Sequence, residues 1–182
     1  RERITLKDGD FLDLDWSYAS KPSKRLIILL HGLEGNGQRL YVVGVAKHFN
    51  DNGVDALCIN FRGCSGEDNT KYYSYHSGAT SDLHEVVQHA IALNRYEDIY
   101  INGFSLGGNV TLKYLGEQKF EIPKQIKGAM AVSVPCSLYG SCVELHKFKN
   151  YPYALMFLTT LKNKLRQKLL KFPEQLQPEN IK

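Results

Sequence analysis

The feature that most constrains this chain is a serine between two glycines, placed where a strand pattern changes directly into a helical one. A strand is predicted over Ile99–Phe104 and a helix from about Leu106. Because so tight a reversal folds the chain against itself, side chains at Gly103 and Gly107 would collide with the neighbouring strand and helix. The turn should strain the backbone of Ser105 and lift its hydroxyl clear of the sheet. Alone, the pattern also fits a serine that caps an ordinary βα unit.

The first thirty residues predict a hairpin followed by a buried strand. Residues 3–6 and 11–16 flank a polar turn, and apolar residues of the second segment alternate with Asp13 and Asp15. This alternation predicts an antiparallel hairpin with one face in water. Leu26–Leu30 is an unbroken apolar run, which predicts a central parallel strand with both faces covered.

Strand and helix patterns alternate through the middle of the chain. A first helix is predicted from four apolar residues at helical spacing, Leu40, Val43, Ala46 and Phe49. Residues 54–61 form the next predicted strand, a long loop covers 62–79, and Thr80–Asp82 should cap a second helix. Residues 126–134 give a sixth strand. Since the crossovers are too long for hairpins, the predicted fold class is α/β, with a doubly wound, mainly parallel sheet after the initial hairpin.

Three polar segments should meet at one edge of this sheet. Ligands of open α/β sheets bind at the carboxyl ends of the strands, and the loops that begin at His31 and Arg62 reach that edge together with the turn at Ser105. The glycines from Gly32 to Gly37 match neither the dinucleotide fingerprint nor the P-loop, and no lysine opens the following helix. Nucleotide binding is therefore disfavoured, and the edge is predicted to hold another small molecule.

Four motifs, in this order and spacing, resemble the YheT-like α/β-hydrolases. They are His31–Gly35, Phe61–Glu67, Tyr75–Gly78 and Gly103–Asn109. Members of this family are described as carboxylesterases and are related to eukaryotic α/β-hydrolase-domain lipases that act on acylglycerols. The resemblance runs from about Leu26 to the end of the chain. It implies an α/β-hydrolase fold, an ester substrate and no cofactor.

The resemblance also implies roles for individual residues. Ser105 would be the nucleophile, and the backbone amides of Leu33 and Leu106 would form the oxyanion hole. Two preorganised N–H groups aimed at an oxyanion can each lower a reaction barrier by about 3 kcal/mol. Candidates for the wall of the substrate pocket are His31, Gly32, Glu34, Arg62 and His76. Of these, His31 is expected to order its loop, and His76 to line or anchor the pocket, rather than to act as the base.

A catalytic acid and base should follow the serine along the chain in this fold. His146 is the only histidine after Ser105, and it precedes the amphipathic stretch Tyr151–Phe172. The others come too early: His31, His48, His76, His84 and His89. A serine hydroxyl without a base is a poor nucleophile. We therefore expect the acid and base beyond Lys182, after two further strands, and little activity from residues 1–182 alone.

A sheet that lacks its last strands would expose an unpaired edge and an apolar face at the sixth strand. We expect a partner to cover that surface. The candidates are the remaining C-terminal part of the same protein, a separate fragment, and a second copy of the chain. No nucleic-acid partner is expected.

The predicted organisation is an α/β-hydrolase core over residues 1–137 and a helical cap or lid over 138–182. Residues 1–137 carry 15 basic and 16 acidic residues, whereas 138–182 carry 8 basic and 3 acidic residues. Residues 151–172 place an apolar stripe opposite several lysines. An apolar lid suits an acyl chain, and a helix packed only for stability fits equally well. Contact of the lysines with a membrane surface is a minor alternative.

The cysteines and flanking sequence bear on the compartment. Cys58, Cys64, Cys136 and Cys142 form no CxxC pair, so reduced thiols are favoured over a disulfide framework. No signal peptide and no apolar run of 18 residues is visible, and the expected location is cytoplasmic. No metal site is expected, because residues five apart on a helix, as in 84 and 89, do not share one face.

The sequence thus predicts a serine hydrolase that cleaves carboxylic esters with short or medium acyl chains, including acylglycerols. Two alternatives remain open. A non-catalytic α/β-hydrolase-like scaffold would bind a ligand or partner through the same surface. An acyltransferase or thioesterase would use the same serine with another acceptor or substrate. An Asp and a His after Lys182 in the parent gene would favour an enzyme over the scaffold.

Overall fold

The computed structural model describes residues 1–175, which divide into two compact units. The first unit comprises Arg1–Thr70 and Ser74–Val134, and the second comprises Lys71–Tyr73 and the chain from Pro135. Within the first unit the strands are β1 Glu2–Thr5, β2 Phe11–Ser17, β3 Arg25–Leu30, β4 Asp55–Asn60, β5 Asp98–Phe104 and β6 Ile126–Val132. Its helices are α1 Leu40–Asp51, α2 Thr80–Ala92 and α3 Leu106–Gly116.

The six strands form one sheet in the order β1-β2-β4-β3-β5-β6. β2 pairs antiparallel with both β1 and β4, and β4, β3, β5 and β6 run parallel. The predicted fold class is confirmed, because a hairpin at one edge leads into a parallel sheet with helical crossovers.

Apolar side chains cover both faces of the central strand β3. Leu26, Ile28 and Leu30 belong to a large cluster with residues of α2 and α3. Ile27 and Leu29 belong to a second cluster with residues of α1. The unbroken apolar run of β3 is therefore explained as predicted, since a strand packed on two sides needs no polar alternation.

The predicted wet face of the hairpin is wrong. All residues from Phe11 to Asp15 are buried, and Asp13 and Asp15 are only 2% and 9% exposed. The reason is that β2 lies inside the sheet and arginines from the start of the chain cover its carboxylates. Nε of Arg3 lies 2.8 Å from Oδ1 of Asp13, and Nε of Arg1 lies 2.7 Å from Oδ1 of Asp15. The aspartates that alternate with apolar residues here are buried and paired with arginines, and they do not face solvent.

Two details of the helices also differ from the predictions. In α1, Ala46 is buried and Phe49 packs against the core as predicted, whereas Leu40 and Val43 are exposed and Val42 is buried instead. Helix α2 begins at Thr80 without a side-chain cap, and Asp82 hydrogen-bonds Arg62 instead. A carboxylate that pairs with a buried guanidinium is not available to cap the helix.

The second unit is helical, with α4 Leu138–Leu145, a 3₁₀ turn Phe148–Asn150 and α5 Tyr151–Lys171. The predicted long helix is confirmed to within one residue. Nζ of Lys168 donates to the carbonyl oxygens of Tyr72 and Tyr73 at 2.5 and 2.7 Å, which ties this short segment to α5. In the described part of the chain, no helix combines the length and apolar character needed to cross a membrane. The lid role of residues 138–182 stays a prediction.

Candidate functional site

Ser105 occupies the junction between β5 and α3 in a strained backbone conformation. Its φ is 51° and its ψ is −115°, a region that residues with a side chain rarely adopt. Such an outlier costs on the order of 1–3 kcal/mol and persists only where the surroundings impose it. The predicted backbone strain at this serine is confirmed.

The glycines on either side of Ser105 are required sterically. A Cβ at Gly103 would lie 2.3 Å from the carbonyl oxygen of Gly107. A Cβ at Gly107 would lie 2.6 Å from the carbonyl oxygens of both Leu30 and His31. These distances are below any real Cβ contact, so strand β5, helix α3 and the end of β3 approach one another only because these positions carry no side chain.

Backbone contacts fix the serine against its neighbours. The Ser105 N–H donates to the carbonyl oxygen of Val132 at 2.8 Å, and the Asn109 N–H donates to the Ser105 carbonyl oxygen at 3.1 Å. On the other side, a Cβ at Gly32 would lie 3.4 Å from the Cβ of Ser105. The loop after β3 therefore passes directly beside the serine, at a distance where even a Cβ at Gly32 would make only ordinary contact.

Two backbone amides beside Ser105 are available for a ligand. The Gly32 N–H donates to the hydroxyl of Tyr41 at 3.0 Å, and the Glu34 N–H donates to the hydroxyl of Tyr75 at 2.9 Å. Within residues 1–175, the N–H of Leu33 between them has no hydrogen-bond acceptor. The same holds for the N–H of Leu106, which opens helix α3. Free amides in the first turn of a helix are suited to negative charge.

His31 is a structural histidine. Its side chain is fully buried with its ring edge on Phe61, at a centroid distance of 4.6 Å. Nε2 accepts a hydrogen bond from the Phe61 N–H at 3.2 Å, so Nδ1 carries the proton and donates to the carbonyl oxygen of Gly32 at 2.7 Å. Both nitrogens are thus engaged. His31 orders its loop, and its pocket role stays a prediction.

Arg62 is also buried, and its guanidinium holds three carboxylates. Nε and Nη2 form a fork with Asp82 at 2.8 Å each, and Nη1 lies 2.7 Å from Asp8 and 3.2 Å from Asp10. Burial alone would lower the pKa of Arg62, but the bonds to Asp82 and Asp8 outweigh it and the pKa is raised. This cluster joins the β1–β2 turn to α2, and the pocket role of Arg62 stays a prediction.

Glu34 and His76 differ in their surroundings. Glu34 has a φ of 55°, and its Oε1 accepts a hydrogen bond from the Tyr75 hydroxyl at 2.6 Å. His76 is exposed, and its Nδ1 accepts from the Gly78 N–H at 3.1 Å. In the described part of the chain, no histidine hydrogen-bonds the Ser105 hydroxyl. The pocket roles of these two residues stay predictions.

The sequence reasoning missed Tyr41 and Tyr75. Burial, and after it the neighbouring Cys64 and the bond to Glu34, raises the pKa of Tyr75, so this hydroxyl keeps its proton. Tyr75 belongs to one of the four quoted motifs and could have been singled out there. Tyr41 has no such signal, because a tyrosine in the first turn of a helix looks like an ordinary surface residue.

The fold is that of an α/β protein with a strained Gly-x-Ser-x-Gly turn between β5 and α3, the pattern that α/β-hydrolases use for their nucleophile. The sequence model of the alpha/beta hydrolase fold family matches residues 25–160, and the chain belongs to that family. It is 32% identical over 182 residues to "Putative esterase YheT" of Escherichia coli strain K12, covering 99% of this chain and 53% of that protein. The resemblance found from the motifs is confirmed. The chain spans about half the length of this relative.

Two further comparisons extend this finding. The monoacylglycerol lipase of Saccharomyces cerevisiae is 32% identical over 123 residues, covering 67% of this chain and 27% of that protein. Among solved structures, the Pyrococcus furiosus esterase Pf2001 superimposes with a TM-score of 0.66 at 24% identity, covering 85% of this chain and 58% of that chain. At this identity the structural likeness concerns the fold alone.

Proposed function

We propose that this chain supplies the nucleophile and the oxyanion hole of a serine hydrolase that cleaves carboxylic esters. The observation that carries the proposal is the pair of amides of Leu33 and Leu106, which have no acceptor within residues 1–175 and lie on two segments that meet at the strained Ser105. Family membership and the names of the esterase and lipase relatives support the same reaction class.

In the proposed reaction, Oγ of Ser105 attacks the ester carbonyl carbon while a base takes its proton. Negative charge develops on the carbonyl oxygen, which accepts hydrogen bonds from the Leu33 and Leu106 amides. The alcohol leaves with a proton returned by the base, and an acyl-serine remains. Water then attacks this second ester in the same way and releases the acid. We place the base and its acid partner beyond the described residues, in the same polypeptide.

We propose that the rest of the same polypeptide covers the outer surface of β6. The side chains of Met130 and Val132 are exposed there, and Met130 lines an apolar depression of about 310 Å³ together with Phe49 and Tyr100. An apolar surface of this kind is unfavourable in water. The relative from E. coli has about as many residues again as this chain, which is enough to supply two more strands and a helix.

The experiment uses the complete gene product that contains residues 1–182. Hydrolysis of p-nitrophenyl butyrate and labelling by a fluorophosphonate probe are measured for the unaltered protein, Ser105→Ala and Ser133→Ala. Ser133 is a matched control, because it follows the neighbouring parallel strand and also has a positive φ of 53°. Ser105→Ala should lose labelling and at least about 10⁴-fold in kcat, whereas Ser133→Ala should keep both. Residues 1–182 alone should be nearly inactive.

The outcomes separate the alternatives. Labelling of Ser105 without turnover of esters, but with turnover of a thioester or transfer to an added alcohol, would identify a thioesterase or an acyltransferase. Absence of both labelling and turnover in the complete protein would support the non-catalytic scaffold. Strong Ser105-dependent hydrolysis by residues 1–182 alone would contradict the external base, and His76 would be the first residue to replace.

We propose a cytoplasmic location, supported by the state of the cysteines. All four are free thiols, and burial raises the pKa of Cys58 to about 12, so that thiol is inert. Free thiols are typical of reducing compartments. Fractionation of cells that produce the tagged complete protein would test this, and recovery in a secreted or envelope fraction would contradict it.

A further inference from the structure

We propose that Tyr41 and Tyr75 are positioning residues that hold the loop after β3 so that the Leu33 N–H points at the oxyanion. This inference rests on the proposed function, because it concerns the same oxyanion hole. Its basis is the pattern of three successive amides. The first and third, Gly32 and Glu34, donate to tyrosine hydroxyls, and the second has no acceptor within residues 1–175.

Tyr41 connects this loop to the serine turn. Its hydroxyl oxygen accepts from the Gly32 N–H at 3.0 Å. Its ring packs edge-on against Phe104, the residue before Ser105, with 4.9 Å between the ring centroids. A side chain from α1 therefore touches both segments that would form the oxyanion hole. Its hydrogen bond sets the plane of one peptide, and its ring fixes that peptide relative to β5.

Tyr75 holds the other end of the same loop. Its hydroxyl accepts from the Glu34 N–H at 2.9 Å and donates to Oε1 of Glu34 at 2.6 Å, so one side chain engages both the backbone and the carboxylate. Its ring stacks on Phe61 at a centroid distance of 5.3 Å with the planes 5° apart. Glu34 has a φ of 55°, and these two hydrogen bonds help to maintain its left-handed backbone conformation.

The two bonds fix the peptides on either side of the Leu33 amide. Rotation of a peptide about its two flanking bonds moves its N–H. The peptide that carries the Leu33 N–H is held at the Gly32 carbonyl oxygen by Nδ1 of His31 at 2.7 Å and by the Gly35 N–H at 3.0 Å, and the two tyrosine bonds restrain the peptides on either side of it. An oxyanion donor is effective when it lies about 2.7–3.1 Å from the oxyanion without rearrangement. Loss of either tyrosine hydroxyl should therefore weaken binding of the transition state and leave binding of the ester largely unchanged.

The test compares Tyr41→Phe and Tyr75→Phe with Tyr18→Phe in the complete gene product. Each change removes one hydroxyl and keeps the ring. Tyr18 is the control, because it stacks on Trp16 and its hydroxyl has no hydrogen-bond partner in the described part of the chain. We expect kcat for p-nitrophenyl butyrate to fall about tenfold for Tyr41→Phe and Tyr75→Phe, with KM within about twofold.

A second readout separates positioning from general structural support. A trifluoromethyl ketone that forms a tetrahedral adduct with the serine should lose affinity by the same factor as kcat. Unchanged kcat and adduct affinity in both variants, with Ser105-dependent hydrolysis intact, would overturn this inference alone. Absence of hydrolysis and labelling in the unaltered protein would overturn the proposed function as well. If Tyr75→Phe fails to fold, the kcat and adduct affinity of Tyr41→Phe decide, because Tyr41 is half-exposed and its replacement should leave the fold intact.

Discussion

Strands β1 to β5 and strand β6 belong to one sheet but differ in how far their side chains are buried. In β5 the apolar Ile99 and Ile101 are buried between helices and neighbouring strands. In β6 no residue is fully buried, and the side chain of Met130 is 51% exposed. Both strands are apolar in sequence and run parallel to each other. Both strands thus carry apolar side chains, and what differs is how much of the described chain packs against them.

This difference shows which features the described chain determines by itself. The serine turn is built by contacts among β3, β5, β6 and α3. Its glycines approach backbone atoms of β3, β5 and α3, and the Ser105 N–H bonds the last residue of β6. The other end of the sheet is completed by ion pairs between the hairpin arginines and buried carboxylates. The outer surface of β6 leaves Met130 and Val132 exposed, and we proposed above that further residues of the polypeptide cover it. Three changes, one in the turn, one in β6 and one in the hairpin, test this division.

The largest effect is expected from Gly103→Ala in the complete gene product. The new Cβ would lie 2.3 Å from a backbone oxygen that cannot move without displacing α3. We expect the free energy of unfolding to fall by about 3 kcal/mol or more, with loss of probe labelling at Ser105. Denaturant unfolding and labelling of the soluble fraction measure the two effects.

Gly116→Ala is the matched control for that change. Gly116 ends helix α3, and apart from its chain neighbours and the backbone of its own helix, no atom of residues 1–175 lies within 4 Å of a Cβ placed there. Alanine there should be neutral or should stabilise the protein by up to about 1 kcal/mol. If Gly103→Ala were as stable as its control, the turn would not be the tightly determined region that the contacts imply.

These contacts also explain how far the sequence could predict the fold. The glycine spacing around Ser105 and the apolar run of β3 depend only on residues next to one another in the chain. Both could therefore be interpreted from the sequence, and both predictions were confirmed. The wet face of β2 was predicted wrongly, because the arginines that neutralise Asp13 and Asp15 come from the start of the chain. Such a pairing depends on tertiary structure and leaves no periodic signal.

The candidate site shows the same limit. Family resemblance pointed to Ser105, Leu33 and Leu106 because their spacing in the chain is characteristic. The residues that hold that site in place could not be predicted from the sequence. The hydroxyl of Tyr41, for example, accepts a hydrogen bond from the N–H of Gly32, nine positions earlier. The contacts that hold His31 and Arg62 were equally hidden. Their hydrogen-bond partners, the Phe61 N–H and the Asp82 carboxylate, are distant in sequence.

The second prediction concerns the surface of β6. In the complete gene product, Met130→Lys should lower the free energy of unfolding by about 2 kcal/mol, because the remainder of the polypeptide would bury this position. Leu93→Lys is the control, with 44% exposure at the end of α2, and should change stability by less than about 0.5 kcal/mol. Equal stability of the two variants would show that β6 stays uncovered.

The smallest effect is expected at Asp15 in the hairpin. Burial alone would raise the pKa of Asp15, but hydrogen bonds from Arg1, Asn60 and Gln38 lower it from 3.8 to about 2. The ionised carboxylate therefore stabilises the fold above pH 4, and this contribution is lost as the pH falls towards 2. Since Arg1 is partly exposed, we expect Asp15→Asn to cost about 1 kcal/mol at pH 7. In denaturant unfolding of the complete gene product, the gap to the unaltered protein should shrink between pH 4 and pH 2. If the difference in the free energy of unfolding stays constant or widens on acidification, the substitution has cost hydrogen-bond geometry rather than charge. The ion pairs would then not be what stabilises the hairpin.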